Sequence, residues 1–261
     1  MHRWLEEKFI VKIIISFVIG LSAGAFGGLI GIGGGVIMIP LMTEVLKLTQ
    51  YKAHGTSLVA LVFTGISGAI TYASLGSIDI TAAVILALAA VFTAPLGARH
   101  THKLSEWTLR KSFGVFSIVC SLLLFAKPYL TNMTGTVPDY AKIIIFLLTG
   151  AFTGFLSGMM GVGGGTIMVP VMVILAGLTQ HVAQGTSLLV MVPTGGIGAF
   201  THWKIGNVAA EILVGLIPGI ILGTYLGGNF ANIIPDNILR LIFAFIMIFV
   251  SLRYLTKPSP E

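Results

Sequence analysis

Two glycine-rich stretches carry the chemistry that is easiest to recognise in this chain. Their glycines are Gly31, Gly33, Gly34 and Gly35 in the first stretch, and Gly161, Gly163, Gly164 and Gly165 in the second. Both stretches lie inside long apolar segments, where a run of glycines can unwind a helix and expose backbone N–H groups. A helix that starts after such a break points its positive dipole end at those groups, and this arrangement binds anions. The sequence therefore predicts an anion-binding site that includes Gly33–Gly35 and Gly163–Gly165.

Helix packing is the alternative use of these glycines. Gly27, Gly31 and Gly35 recur at every fourth position, the spacing at which small residues let membrane helices approach closely. However, Pro40 and Pro170 each follow the last glycine of a triplet by five positions. The duplication of the whole pattern favours a functional break in the helix. No lysine follows the glycines, so the pattern is not a phosphate-binding P-loop.

A second duplicated motif, Gly-Thr-Ser, places adjacent hydroxyl groups near the start of the third apolar run of each half. Its hydroxyl residues are Thr56, Ser57, Thr186 and Ser187. One hydroxyl could cap a helix, and two adjacent hydroxyls could also donate to an anion. Because capping needs only one of them, we expect all four residues to contribute to substrate binding. Upstream of these pairs, Thr49 and Thr179 are interpreted as turn residues.

Ionisable residues inside the apolar runs are scarce, and each is a functional candidate. Glu44 and His202 are the candidates for coupling proton movement to transport, with an interfacial location as the simpler alternative for both. No pair of intramembrane carboxylates occurs, which favours an anion over a cation as substrate. No metal site, cofactor or set of catalytic residues is predicted either, so we do not expect an enzyme.

The composition is that of a polytopic membrane protein. Hydrophobic residues make up 56% of the chain and charged residues only 9%. The net charge of +6 comes without a basic patch, so the expected partners are the lipid bilayer and a small anionic substrate, not a nucleic acid. Cys120 is the single cysteine and excludes an intrachain disulfide. The oligomeric state stays open, a homo-oligomer included.

The two motifs belong to a repeat that covers nearly the whole chain. Gly31 and Gly161 are 130 positions apart, and the same offset aligns residues 10–125 with residues 140–255. We therefore predict a first transmembrane repeat at 1–130, a connecting loop at 131–139 and a second transmembrane repeat at 140–261.

The distribution of lysine and arginine predicts the topology. With five membrane segments per half and a cytoplasmic N-terminus, twelve of the fifteen basic residues fall inside, and only Lys127, Lys142 and Arg240 fall outside. Four crossings per half would give eight against seven, which is no bias. An odd number of segments inverts the second half relative to the first. The predicted fold is thus an all-α membrane protein of two inverted-topology repeats, with short broken helices after the glycine motifs and both termini in the cytoplasm.

The duplicated Gly-x-Gly-Gly-Gly-x-x-x-x-Pro motif, followed by Gly-Thr-Ser, resembles the TauE/SafE sulfite-exporter family over essentially the whole chain. The resemblance implies a multi-pass transporter in a bacterial-type plasma membrane. It also implies a substrate among the small sulfur-containing anions, such as sulfite, sulfoacetate and other sulfonates, thiosulfate or related organic anions. Export by a secondary transporter, coupled to protons or driven by the membrane potential, is the expected mode. A passive anion channel of the same architecture is the alternative.

Overall fold

The computed structural model describes residues 2–100, residues 138–256 and scattered positions between 111 and 126, and these residues form helices and no strands. The expected all-α fold class is therefore confirmed for this part of the chain. Cys120 and most of the predicted connecting loop, residues 131–137, lie outside the described residues. The helices are α1 (His2–Ile30), α2 (Gly35–Glu44), α3 (Gln50–Ala73), α4 (Ile80–His100), α5 (Asp139–Met160), α6 (Gly165–Ile174), α7 (Gln180–Lys204), α8 (Ala210–Ile233) and α9 (Asp236–Thr256).

Five of the described helices are long and apolar enough to cross a membrane. They are α1 from Ile10 onwards, α3, α4, α5 and α8. Helices α2 and α6 are equally apolar, but each has only ten residues and a length of about 15 Å, half the thickness of a bilayer core. The chain is thus a multi-pass membrane protein that contains two half-length helices.

Glycines hold α1 and α8 in close parallel contact. Four glycines of α8, spaced by four residues, face four backbone carbonyls of α1 with the same spacing, in the pairs Gly215–Ile13, Gly219–Phe17, Gly223–Leu21 and Gly227–Ala25. A Cβ atom built on any of these glycines would lie 2.0–2.2 Å from the facing carbonyl oxygen, so no larger residue fits. Because both series of numbers rise together, the two helices run in the same direction.

Helices α4 and α5 repeat this arrangement. In α5, Gly150, Gly154 and Gly158 face the carbonyls of Leu86, Ala90 and Ala94 in α4, again with both series rising together. The α1–α8 contact contains the same pairs displaced by 130 positions, Gly20–Leu216, Gly24–Ile220 and Gly28–Thr224. Helix packing through small residues therefore does occur in this protein, and it occurs along the α1–α8 and α4–α5 pairs.

The centre of the bundle is the contact between α3 and α7, which are equivalent helices of the two halves. Gly65 of α3 faces Leu188 and Val192 of α7, whereas Gly195 of α7 faces Leu58 and Val62 of α3. As the residue numbers rise along α3, the numbers of the facing residues in α7 fall, so α3 and α7 run antiparallel. The helices cross near their midpoints.

The ends of the helices show how the half-length helices connect the long ones. The hydroxyl of Tyr72, near the end of α3, donates to the carbonyl of Gly28, near the end of α1, over 2.9 Å. Helices α1 and α3 therefore finish at the same end of the bundle. Residues 31–49, which include α2, must then carry the chain back to the start of α3. The equivalent bond joins α7 to α5, where His202 Nε2 lies 3.0 Å from the carbonyl oxygen of Gly158.

Candidate anion-binding site

The two glycine stretches lie side by side where α3 and α7 cross. A Cβ atom built on Gly35 would be 2.6 Å from the carbonyl oxygen of Gly161, and one on Gly165 would be 2.2 Å from that of Gly31. A Cβ on Gly163 would be 2.9 Å from the carbonyl oxygen of Ile32. The start of each stretch thus meets the end of the other, and the two run antiparallel. We call residues 31–35 and 161–165 together the glycine crossing.

The glycine crossing lies at mid-depth in the bundle. Gly33 packs against Leu61 and Met191, which are close to the midpoints of α3 and α7. Gly33 and Gly163 have φ angles of 85° and 87°, a left-handed conformation that strongly favours glycine. These positions require glycine for two reasons, since both the backbone angle and the close packing exclude a side chain.

Backbone N–H groups of the glycine crossing lack acceptors. Gly31 N–H still bonds to the carbonyl of Gly27, and helical bonding resumes when Ile37 N–H donates to Gly34. Between them, the N–H groups of residues 32–36 form no hydrogen bond with a described residue, and the same holds for residues 162–166. All ten residues are buried. Buried donors without acceptors at the start of a helix are the groups that an anion satisfies.

Thr166 adds a side-chain donor that the sequence analysis did not single out. It lies in the first turn of α6, is fully buried, and its hydroxyl has no hydrogen-bond partner among the described residues. The equivalent residue in α2 is Val36. The only signal in the sequence is this replacement of an apolar residue by a hydroxyl beside the glycine triplet.

Ser57 and Ser187 fasten the glycine crossing to the central helices. The hydroxyl oxygen of Ser57 lies 2.7 Å from the carbonyl oxygens of both His54 and Gly161. The hydroxyl oxygen of Ser187 lies 2.7 Å from the carbonyl oxygen of Gly31 and 2.8 Å from that of Gln184. Each serine therefore ties its own helix to the first residue of the other half's glycine stretch.

Thr56 and Thr186 have a different role in this structure. The Thr56 hydroxyl accepts the backbone N–H of Ala209 over 2.9 Å, and the Thr186 hydroxyl accepts that of Asp79 over the same distance. Both threonines are buried, and each holds the loop that leads into a long helix of the other half, α8 for Thr56 and α4 for Thr186. Donation from these hydroxyls to an anion stays a prediction.

The helix-capping alternative for the Gly-Thr-Ser motifs is wrong. Helices α3 and α7 begin about two turns earlier. Their N-caps are Thr49 and Thr179, whose hydroxyls accept the N–H groups of Lys52 and Val182. These two threonines are caps and not only turn residues. The backbone in the cap position is extended, and the hydroxyl then satisfies one of the free N–H groups of the first helical turn.

The two coupling candidates are in different surroundings. Glu44 is the last residue of α2 and is exposed, nine residues along the chain from the start of the helix at Gly35. His202 is fully buried near the end of α7, close to the part of the glycine crossing that begins at Gly161. The structure thus brings His202, but not Glu44, close to the predicted anion site.

Comparison with known proteins identifies the family of this chain. The family model described as Sulfite exporter TauE/SafE matches residues 13–254, which is nearly the entire chain. The chain belongs to the TauE/SafE family. The family resemblance is thereby confirmed.

Similar proteins occur in bacteria and archaea. The probable membrane transporter protein YunE of Bacillus subtilis is 26% identical over 92% of this chain and 96% of its own length. The probable membrane transporter protein MJ0441 of Methanocaldococcus jannaschii is 25% identical over 93% of this chain and 95% of its own. A probable membrane transporter protein of Xylella fastidiosa is 28% identical over 94% of both chains. No solved structure matches this one.

Proposed function

We propose that this TauE/SafE family member is a secondary transporter, and not an enzyme, that exports small sulfur-containing anions across the plasma membrane. The candidate substrates are sulfite, sulfonates such as sulfoacetate, thiosulfate and related organic anions. The observation that carries the proposal lies at the glycine crossing, where ten buried residues, 32–36 and 162–166, leave their N–H groups without acceptors among the described residues. Buried donors that are unsatisfied cost about 1–3 kcal/mol each, and a fold retains them where a ligand satisfies them.

The chemistry of the site favours an oxyanion. Amide N–H groups, helix N-termini and the Thr166 hydroxyl all present positive polarity without a formal charge. A site of this kind holds an anion with modest affinity and releases it, as a transporter requires. Gly33–Gly35 and Gly163–Gly165 supply the main-chain donors, and Ser57 and Ser187 fix the position of the two stretches.

The architecture that supports transport is an inverted repeat. Three observations support it: α3 and α7 run antiparallel, α1 runs parallel to α8, and α4 runs parallel to α5. These directions follow if residues 140–261 repeat residues 1–130 upside down. The two halves then exchange under a pseudo-two-fold axis through the glycine crossing, the usual location of a substrate site in transporters of this type.

Transport requires the glycine crossing to open. In this structure the two stretches are fully buried and in contact, so an anion at the crossing has no open path to either side. Movement of one half against the other separates the stretches at one end or the other. Glu44 and His202 remain the coupling candidates from the sequence, with His202 closer to the crossing.

Flux measurements in proteoliposomes test this proposal. Vesicles that contain the purified protein are loaded with unlabelled sulfite, thiosulfate or sulfoacetate, and entry of the same ³⁵S-labelled anion is followed against protein-free vesicles. We expect counterflow, that is, transient accumulation of label above its outside concentration, for at least one anion. A passive channel gives entry without accumulation. If no anion enters faster than in protein-free vesicles, the proposed function is wrong.

A further inference from the structure

The two ends of the glycine crossing are closed by equivalent residues of different chemistry. At the end that begins with Gly31, the Tyr72 hydroxyl donates to Gly28 and lies 2.9 Å from the side-chain amide oxygen of Gln184. At the other end, residues 130 positions away take the same places: His202 stands in place of Tyr72, and His54 in place of Gln184. One end is thus closed by two side chains that stay neutral near pH 7, and the other by two imidazoles.

Both histidines are buried against the end of α5. His202 Nε2 lies 3.0 Å from the carbonyl oxygen of Gly158, and His54 Nδ1 contacts the carbonyl of Met160. A Cβ atom built on Gly55 would be 3.0 Å from the Cβ of His202, so the two histidines are near neighbours. The pair is also next to the anion site, because a Cβ on Gly161 would meet the backbone of His54 at 2.5 Å.

The surroundings of the pair determine which proton-binding states are accessible. Both imidazoles face backbone carbonyl groups at the end of α5, which can accept a hydrogen bond from a ring N–H. The last eighteen residues of α5 contain no ionisable side chain. Among the side chains that the structure describes, the titratable residues of the other helices and their adjoining loops at this end are exposed or partly exposed. They are Lys12, Glu44, Lys47, Tyr51, Lys52, Arg99, His100, Lys204 and Glu211.

We propose that His54 and His202 form a proton-binding site that is linked to the anion site at the glycine crossing. This inference builds on the proposed function, because the linked ligand is the transported anion. A proton bound to either imidazole places a positive charge beside the Gly161 end of the crossing. An anion bound there then raises the affinity for the proton, and by reciprocity the proton raises the affinity for the anion. Tyr72 and Gln184 cannot provide this linkage at their end.

The first test of the proton site needs no anion. Histidine ring signals are followed by NMR between pH 5 and pH 8 in ¹⁵N-histidine-labelled protein in lipid, and His54→Gln and His202→Tyr variants assign them. We expect at least one of the two rings to take up a proton within this range. If both rings stay neutral down to pH 5, the proposal is overturned.

The second test measures linkage, with thiosulfate as the probe because it keeps its charge throughout this pH range. Calorimetric titrations in buffers of different ionisation enthalpy count the protons taken up per thiosulfate bound. For the wild type we expect up to one proton, and an affinity that rises by up to about tenfold for each unit that the pH falls. In H54Q/H202Y, which carries the residues of the opposite end, we expect thiosulfate binding without proton uptake.

Controls separate this inference from the proposed function. His100→Gln removes a partly exposed histidine at the same end of the bundle and should retain the linkage. Because tyrosine is larger than histidine at a buried position, the single H54Q variant provides a second test with less perturbation of packing. Unchanged proton uptake in both H54Q and H54Q/H202Y contradicts the inference and leaves the transporter proposal intact. If thiosulfate does not bind the wild type, that result counts against the proposed function, and the NMR titration still decides the proton site.

Discussion

Replacement of Gly165 by alanine tests whether close contact between the two glycine stretches matters for transport. A Cβ atom at this position would lie 2.2 Å from the carbonyl oxygen of Gly31 and 2.7 Å from the methyl carbon of Met191. Carbon–oxygen contacts are ordinarily about 3.3 Å or longer, so the stretches must separate by about 1 Å. Gly165 does not have a positive φ angle, and alanine is a better helix former, so crowding is the only unfavourable effect of the substitution.

Overpacking of a close-packed interior costs about 1–3 kcal/mol. This energy acts on the state in which the stretches touch, so it shifts the balance between this state and the open states about 5- to 150-fold. We expect Gly165→Ala to lower the thermal stability of the detergent-solubilised protein. In proteoliposomes, we expect it to reduce counterflow of ³⁵S-sulfite by at least fivefold.

Gly196→Ala is the matched control. Gly196 is a helical glycine in α7, and a Cβ atom there would meet nothing within 4 Å. This variant should keep wild-type stability within about 0.5 kcal/mol, together with wild-type flux. If Gly165→Ala also keeps wild-type flux and stability, the account of the glycine crossing is refuted.

Three further predictions follow from the same geometry. Thr166→Val gives α6 the valine that α2 has at this position and removes a buried hydroxyl that has no partner among the described residues, so the stability of the protein should not fall. Loss of a hydrogen bond to the anion should weaken sulfite binding about 10- to 150-fold. Equal sulfite affinity of the variant and the wild type in calorimetric titrations would show that Thr166 is not part of the site. Thr56→Val and Thr186→Val each leave a backbone N–H without its acceptor and should lower the free energy of unfolding by about 1–3 kcal/mol. The corresponding serine variants retain the hydroxyl and should keep the wild-type free energy of unfolding. Denaturation in detergent measures these values, and unchanged stability of the valine variants would contradict the observed bonds. Leu75 and Ile205 are exposed and occupy equivalent positions in the two halves. Cysteines introduced at these positions in a Cys120→Ala background should react with an impermeant maleimide from opposite sides of the membrane. Reaction of both cysteines from the same side would contradict the inverted repeat.

The sequence predicted the features that are local or periodic. A glycine triplet followed by proline breaks a helix wherever it occurs, so α2 and α6 could be anticipated as short helices from Gly31–Pro40 and its repeat. Hydropathy gave the long helices, and the 130-residue offset gave the equivalence of the halves. Thr49 and Thr179 lie upstream of the third apolar runs, so the sequence indicated turns there, and the expected start of α3 and α7 lay too far along.

Contacts between distant parts of the chain could not be predicted in this way. Nothing near Thr56 indicates that its hydroxyl accepts the N–H of Ala209, 153 residues away. Likewise, His54 and His202 appear unrelated in the sequence, because each aligns with a residue of another type. They meet only because α3 and α7 cross antiparallel. Thr166 was overlooked because a single hydroxyl beside a glycine triplet has no meaning until its neighbours are shown to offer no acceptor.

The location of a bound substrate analogue tests the central claim most directly. Selenite resembles sulfite in shape and charge, and selenium can be located in crystals by its anomalous scattering. We predict a selenium peak at the glycine crossing, within hydrogen-bonding distance of N–H groups from residues 32–36 or 162–166. A peak at any other location in crystals of active protein, with none at the crossing, would contradict the account.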